Sequence, residues 1–181
     1  MAEPMKPYEQ NIVTFRMMLR GLDEALERLQ AAVQQRDSAG AFPPLFESLN
    51  WASSLDDRIG AHWAPWGTTL AQEWRNEVPA AAVMAGVRFA RNRVHHQWAD
   101  ALILHDGIPF PMPFPIPFFG WKWRPADQLP TGKNTEGEDV YRERLQGEAA
   151  HVSLIELQGA FRWVGEILES PPGRYLDAGS A

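Results

Sequence analysis

Residues 88–98 read Arg-Phe-Ala-Arg-Asn-Arg-Val-His-His-Gln-Trp and gather, in one short stretch, side chains that hold anions and move protons. Arginine offers a planar fork of donors to an oxyanion, and histidine exchanges a proton near neutral pH. At about 100° per residue, with Arg91 as origin, His95 falls near 40°, Arg88 near 60°, Asn92 near 100° and His96 near 140°. Val87, Ala90, Val94 and Trp98 fall at about 260–340° on the same wheel, so a helix here turns one face to a core and carries Arg, Asn and His on the other. The 22 residues between Glu77 and Asp100 hold no carboxylate but include Arg88, Arg91, Arg93, His95 and His96, which predicts a local positive patch. Arg93 near 200° and Gln97 near 240° widen the polar arc, the pattern of an ordinary solvated face, and that reading stands beside the chemical one. Met84, Ala99, Leu102 and Ile103, at about 20–120°, place apolar side chains above and below the band. A further helix or a second copy of the chain is therefore expected to cover this face.

Arg91-Asn92-Arg93-Val94-His95-His96 matches Arg-Asn-x-x-x-His over six residues of 181. In this motif and its helical context the chain resembles the HEPN superfamily of small all-helical proteins, many of them metal-independent ribonucleases of toxin–antitoxin and phage-defence systems. The resemblance implies a homodimer whose two motifs face one another across a composite cleft. It implies that Arg91 neutralises the scissile phosphate of RNA through bidentate hydrogen bonds. It also implies that His96 acts as general acid or base and that Asn92, one helical turn earlier, orients it. His95, nearest Arg91 on the wheel, is the alternative histidine, and Arg88 and Arg93 would bind substrate beside them. Attack by the RNA 2′-hydroxyl needs neither metal nor cofactor, and an antitoxin or another protein would be a further partner. Further helices and a Pro/Phe-rich segment follow the motif helix, beyond the minimal family bundle.

Other chemistry finds less support. His96 and Asp100 lie one turn apart, and His62, His105, His151, Glu47, Asp56 and Asp57 would have to join them from elsewhere to hold a metal. Four-helix carboxylate centres carry Glu-x-x-His pairs on two helices, a pattern this chain lacks, so no metal is expected. Asp56 and Asp57 read as the solvated end of a helix or as partners of Arg88 or Arg91, and Glu47 as part of an exposed flank. There is no serine elbow, P-loop or Gly-rich dinucleotide motif. The absence of Cys excludes disulfides, zinc ribbons and thiol nucleophiles.

The elements that must position the motif follow from apolar spacing. Phe15, Met18, Leu22, Leu26 and Leu29 predict a helix over 11–35, ended by Asp37-Ser-Ala-Gly40. Pro43-Pro44 suit the first turn of a second helix through Leu45, Leu49, Ala52 and Leu55 to about Arg58, closed by Gly60. Residues 61–78 read as a tryptophan-rich connection with a short helix, and Pro79 opens a long helix to about Leu104. Prolines 109, 111, 113, 115 and 117 then alternate with Phe110, Phe114, Phe118 and other apolar residues. Such a segment can pair on one edge only, as a protected strand or an extended arm. Gly120, Trp121 and Trp123 would return it as a short hairpin. Thr135 and Glu138 fit a capping box for a short helix ending near Gly147, and Val152 to Leu168 form a last helix. Of the eight tryptophans, Trp51, Trp74, Trp98 and Trp163 sit at helical core positions, whereas Trp63, Trp66, Trp121 and Trp123 would seal the bundle ends or stack on bases.

The expectation is an all-α bundle of four to six helices, one domain over 1–170 with an arm at 106–130 and a loose tail at 171–181. The chain carries 17 Lys+Arg against 23 Asp+Glu, a formal charge of −6, with 45% hydrophobic and 22% charged residues. That composition fits a globular domain and argues against a general nucleic-acid coat, leaving room only for a local basic site. No signal-like or membrane-spanning apolar run occurs, so a cytoplasmic protein without membrane contact is expected. The alternative function is a noncatalytic helical interaction protein whose Phe110, Phe114 and Phe118 bind a partner.

Overall fold

The computed structural model describes residues 7–63, 78–97, 101–106 and 119–168, and of His96 it describes the backbone alone. Helix α1 spans Pro7–Gln35, and its Phe15, Leu22, Ala25, Leu26, Leu29 and Ala32 are buried at the predicted three- and four-residue steps. It stops at Arg36, which takes the left-handed conformation (φ 56°). The amides of Arg36 and Asp37 return to the carbonyls of Val33 and Ala32, so an arginine fills the capping position usually given to glycine.

Asp37 at once begins α2, Ser38–Trp63, where its Oδ1 accepts the Gly40 N–H at 2.9 Å as an N-cap. The helix therefore starts ahead of Pro43-Pro44 rather than at them, and runs past Gly60. The two prolines lie inside the helix and remove the ladder bonds to the carbonyls of its first turn. The Pro44 carbonyl in turn accepts the buried Ser48 hydroxyl at 2.7 Å.

A 3-10 turn at Pro79–Val83 leads into α3, Met84–Gln97, the motif helix. The expected continuation to Leu104 is replaced by strand β1, Leu102–Asp106, paired antiparallel with β2, Phe119–Trp123. Leu102 lies opposite Trp123 and Leu104 opposite Trp121. Ala101 to Leu104 is an unbroken apolar run that fits helix and strand alike, and the tryptophans supply the partner that decides it. Gly120, Trp121 and Trp123 thus form a hairpin strand, with residues 102–106 as its mate. The Pro/Phe segment with Phe110, Phe114 and Phe118, the connection at 64–77 and the tail lie outside the described residues.

Beyond a short 3-10 turn at Ala126–Gln128, α4 covers Glu138–Arg144 and α5 covers Ala150–Leu168. The expected capping box does not form. Gly137 turns the chain in the left-handed region (φ 78°), which makes Glu138 the first helical residue, and its amide returns to the Thr135 carbonyl at 3.0 Å. Helix α1 packs against α2 and α5, α2 against α3, and α3 against α4, while β2 rests on α5. Trp121 and Trp123 are buried, and the Trp123 indole donates to Ser153 Oγ at 2.8 Å. Burying a side chain of this size contributes roughly 2–3 kcal/mol, so these two seal the end of the bundle rather than face solvent. Trp163, expected in the core, is instead 40% exposed on α5. The result is a mostly helical bundle of five α-helices with one two-stranded sheet among the described residues. No helix among them is long and apolar enough to cross a membrane.

Candidate active site

The polar face of α3 opens on a cleft of about 580 Å³. Arg88, Arg91 and Asn92 line one wall, above Ala82 and Ala85, as their wheel positions require. The opposite wall is Asn134 and Glu136, from the turn ahead of α4.

Arg91 is held from behind, because its Nε donates to Asn50 Oδ1 on α2 at 3.2 Å. Its terminal nitrogens and the Asn92 amide have no hydrogen-bond partner among the described residues, so both are available to a ligand. Arg88 is committed. Its Nε and Nη2 reach Asp56 Oδ2 at 2.8 and 2.6 Å, and Nη2 also meets Asp57 Oδ1. Burial alone would lower the Arg88 pKa, but the attraction and hydrogen bonds of the two carboxylates outweigh it and raise it. Asp56 is 1% exposed, with Leu49, Ala52, Leu55 and Ile59 of the same helix buried around it.

Arg93, expected to bind substrate, points elsewhere. It is 5% exposed, lies 4.6 Å over the Phe89 ring, and donates through Nη2 to the Asn134 carbonyl at 3.1 Å. Its burial widens the core arc of α3 beyond the expected one, and it fastens the far wall of the cleft instead of lining it. A second fastening is Gly137, where a Cβ would collide with the Ala85 carbonyl on α3. Within the wall, Asn134 Oδ1 accepts the Glu136 N–H at 2.8 Å.

His95 stacks flat on Phe46 of α2, with ring centroids 3.9 Å apart and planes at 13°. Helix α3 carries position 96 one turn beyond Asn92, and the His96 side chain lies outside the described part. The positive patch expected from the carboxylate-free stretch is corrected by the fold. Asp56 and Asp57 arrive from α2 to pair with Arg88, and Glu136 joins the cleft lining, while Arg91 forms no ion pair with a carboxylate among the described residues.

The other titratable residues are dispersed. Glu47 pairs with Arg28, whose hydrogen bonds hold the carboxyl below its usual range. His62 and His151 are pushed below the ordinary imidazole value by burial. No three His, Asp or Glu among the described residues gather closely enough to hold a metal.

Asn50, Asn134 and Glu136 were not visible in the sequence pattern, since they come from elements about 40 residues away on either side of the motif. Asp56 did leave a signal: its step of four from Ala52 and three to Ile59 puts it in the core register of α2, where a carboxylate requires a partner. No family model matches the chain, and neither the search of the curated proteins nor that of the solved structures found a match.

Proposed function

We propose that this cleft is the phosphate-binding half of a metal-independent endoribonuclease of the HEPN type, completed by the motif of a second copy. The supporting observation is Arg91, anchored through Nε by Asn50, with its terminal N–H groups available beside the Asn92 amide. An arginine fixed in this way offers two parallel donors to the non-bridging oxygens of a phosphate and neutralises charge as the 2′-hydroxyl attacks. His96, one turn beyond Asn92, is the acid–base residue in this reading, and proton transfer of that kind contributes about 10²–10⁴-fold. Such an enzyme would act in the cytoplasm as a toxin or phage-defence effector, restrained by an antitoxin.

The test is cleavage of total cellular RNA in EDTA by the purified protein beside folded Arg91→Ala, Asn92→Ala and His96→Ala variants. Loss of at least about a hundredfold with Arg91→Ala and His96→Ala is expected, the scale of removing a charge-stabilising donor. Cleavage that persists in both variants refutes the assignment. The ion pairs of Arg88 with Asp56 and Asp57 tie α2 to α3 and give that residue a structural role beside the site.

A further inference from the structure

The carboxylate of Glu136 is out of place in a site built for phosphate alone. Glu136 belongs to the same cleft lining as Arg91 and Asn92 and has no ion-pair partner among the described residues. The turn that carries it is fixed: Asn134 Oδ1 takes its amide proton, Arg93 grips the Asn134 carbonyl, and Gly137 abuts Ala85. The Glu136 side chain itself is exposed, and a carboxylate in the lining repels a polyanion unless the ligand brings donors to meet it.

We infer that the cleft reads a guanine base next to the phosphate held by Arg91, with Glu136 as the specificity-determining residue. The inference rests on the reading of Arg91 as the phosphate-holding residue. Guanine is the common RNA base whose pairing edge presents two adjacent donors, N1–H and the N2 amino group, matched to the two oxygens of a carboxylate. Adenine and cytosine set one amino group beside a ring-nitrogen acceptor, which would face the second oxygen lone pair to lone pair. Uracil sets one N–H between two carbonyls. Asn134, with Oδ1 occupied, keeps its amide N–H groups for an acceptor, and guanine O6 lies directly beside N1–H. A volume of about 580 Å³ admits a mononucleotide.

The experiment is calorimetric titration of the full chain with the 5′-monophosphates of guanosine, adenosine, cytidine and uridine, and with guanosine alone. The same titrations follow on Arg91→Ala and Glu136→Gln, with circular dichroism confirming that both variants are folded. The guanosine monophosphate is expected to bind about tenfold or more tightly than the other three, the discrimination a bidentate base contact supplies. Glu136→Gln should erase that preference, and Arg91→Ala or removal of the phosphate should weaken binding of every ligand. Equal affinities, a preference that survives Glu136→Gln, or no binding by any nucleotide overturns the inference. Selective binding without RNA cleavage leaves it standing and removes only the catalytic reading.

Discussion

Replacing Asp56 by asparagine preserves the shape of the α2–α3 contact and removes its charge. The Asp56 side chain is fully buried and takes two hydrogen bonds from Arg88, whereas Asp57, on the same guanidinium, is 70% exposed. Removing one partner of a buried pair typically costs 3–5 kcal/mol, because the other charge is left in a poor solvent. Arg88 is one-third exposed and keeps Asp57, so the cost falls to or below the bottom of that range, about 2–3 kcal/mol. For a chain of this length that is a fall of roughly 5–10 °C in Tm. Asp57→Asn, which removes a solvated carboxylate, should cost under about 1 kcal/mol. Urea unfolding followed by circular dichroism gives both numbers, and the double variant Asp56→Asn with Arg88→Met should recover part of the loss. Equal costs at the two aspartates, or a cost at Asp56 below about 1 kcal/mol, would refute the claim that burial decides between them.

Gly137→Ala combines a left-handed backbone with a collision at the Ala85 carbonyl, whereas Gly147 (φ 80°) has open space around it. The first should destabilise by more than twice the roughly 1–2 kcal/mol of the second, measured by thermal unfolding. Trp123→Ala should cost about 3–5 kcal/mol and Trp163→Ala under about 1, since the one is fully buried and the other 40% exposed; similar values would contradict the placement of α5. His62 and His151 are held neutral by burial, so the unfolded chain binds protons first. Their contribution is full above the ordinary imidazole value of about 6.5 and is lost as pH falls from there towards their lowered folded values. Tm should therefore drop between pH 7.5 and 5.5, with a shallower slope in His62→Gln or His151→Gln. A flat profile in the parent chain would count against the buried neutral state.

The helices were legible wherever one periodicity had no competitor, as in α1, where Phe15 to Ala32 keep their spacing for four turns and more. Boundaries were less legible, because they depend on single capping side chains. Asp37 caps α2, whose first residue Ser38 lies five residues before Pro43, and Gly137 displaces the start expected from Thr135. The apolar run from Ala101 to Leu104 was ambiguous by composition, and its pairing with Trp121 and Trp123 is a long-range fact that no local pattern holds. In the site, the wheel correctly grouped Arg88, Arg91 and Asn92 on one wall. It left open whether each arginine met solvent, a carboxylate or a ring, and the three ended differently: Arg88 on Asp56 and Asp57, Arg91 on Asn50, and Arg93 under Asn134 against Phe89.

The spacing of those last two anchors bears on how the molecule is made. Arg91 reaches back 41 residues to Asn50, and Arg93 reaches forward 41 residues to Asn134. Synthesis proceeds from the N-terminus at about 5–20 residues per second, so α1, α2 and α3 have been synthesised before the opposing wall exists. Contacts at such separation also close large loops, which places them late in folding. A nascent chain ending before residue 134 holds the arginine and its anchor and lacks the surface across from it. Whatever the cleft binds between its two walls, a nascent chain that short cannot yet bind it.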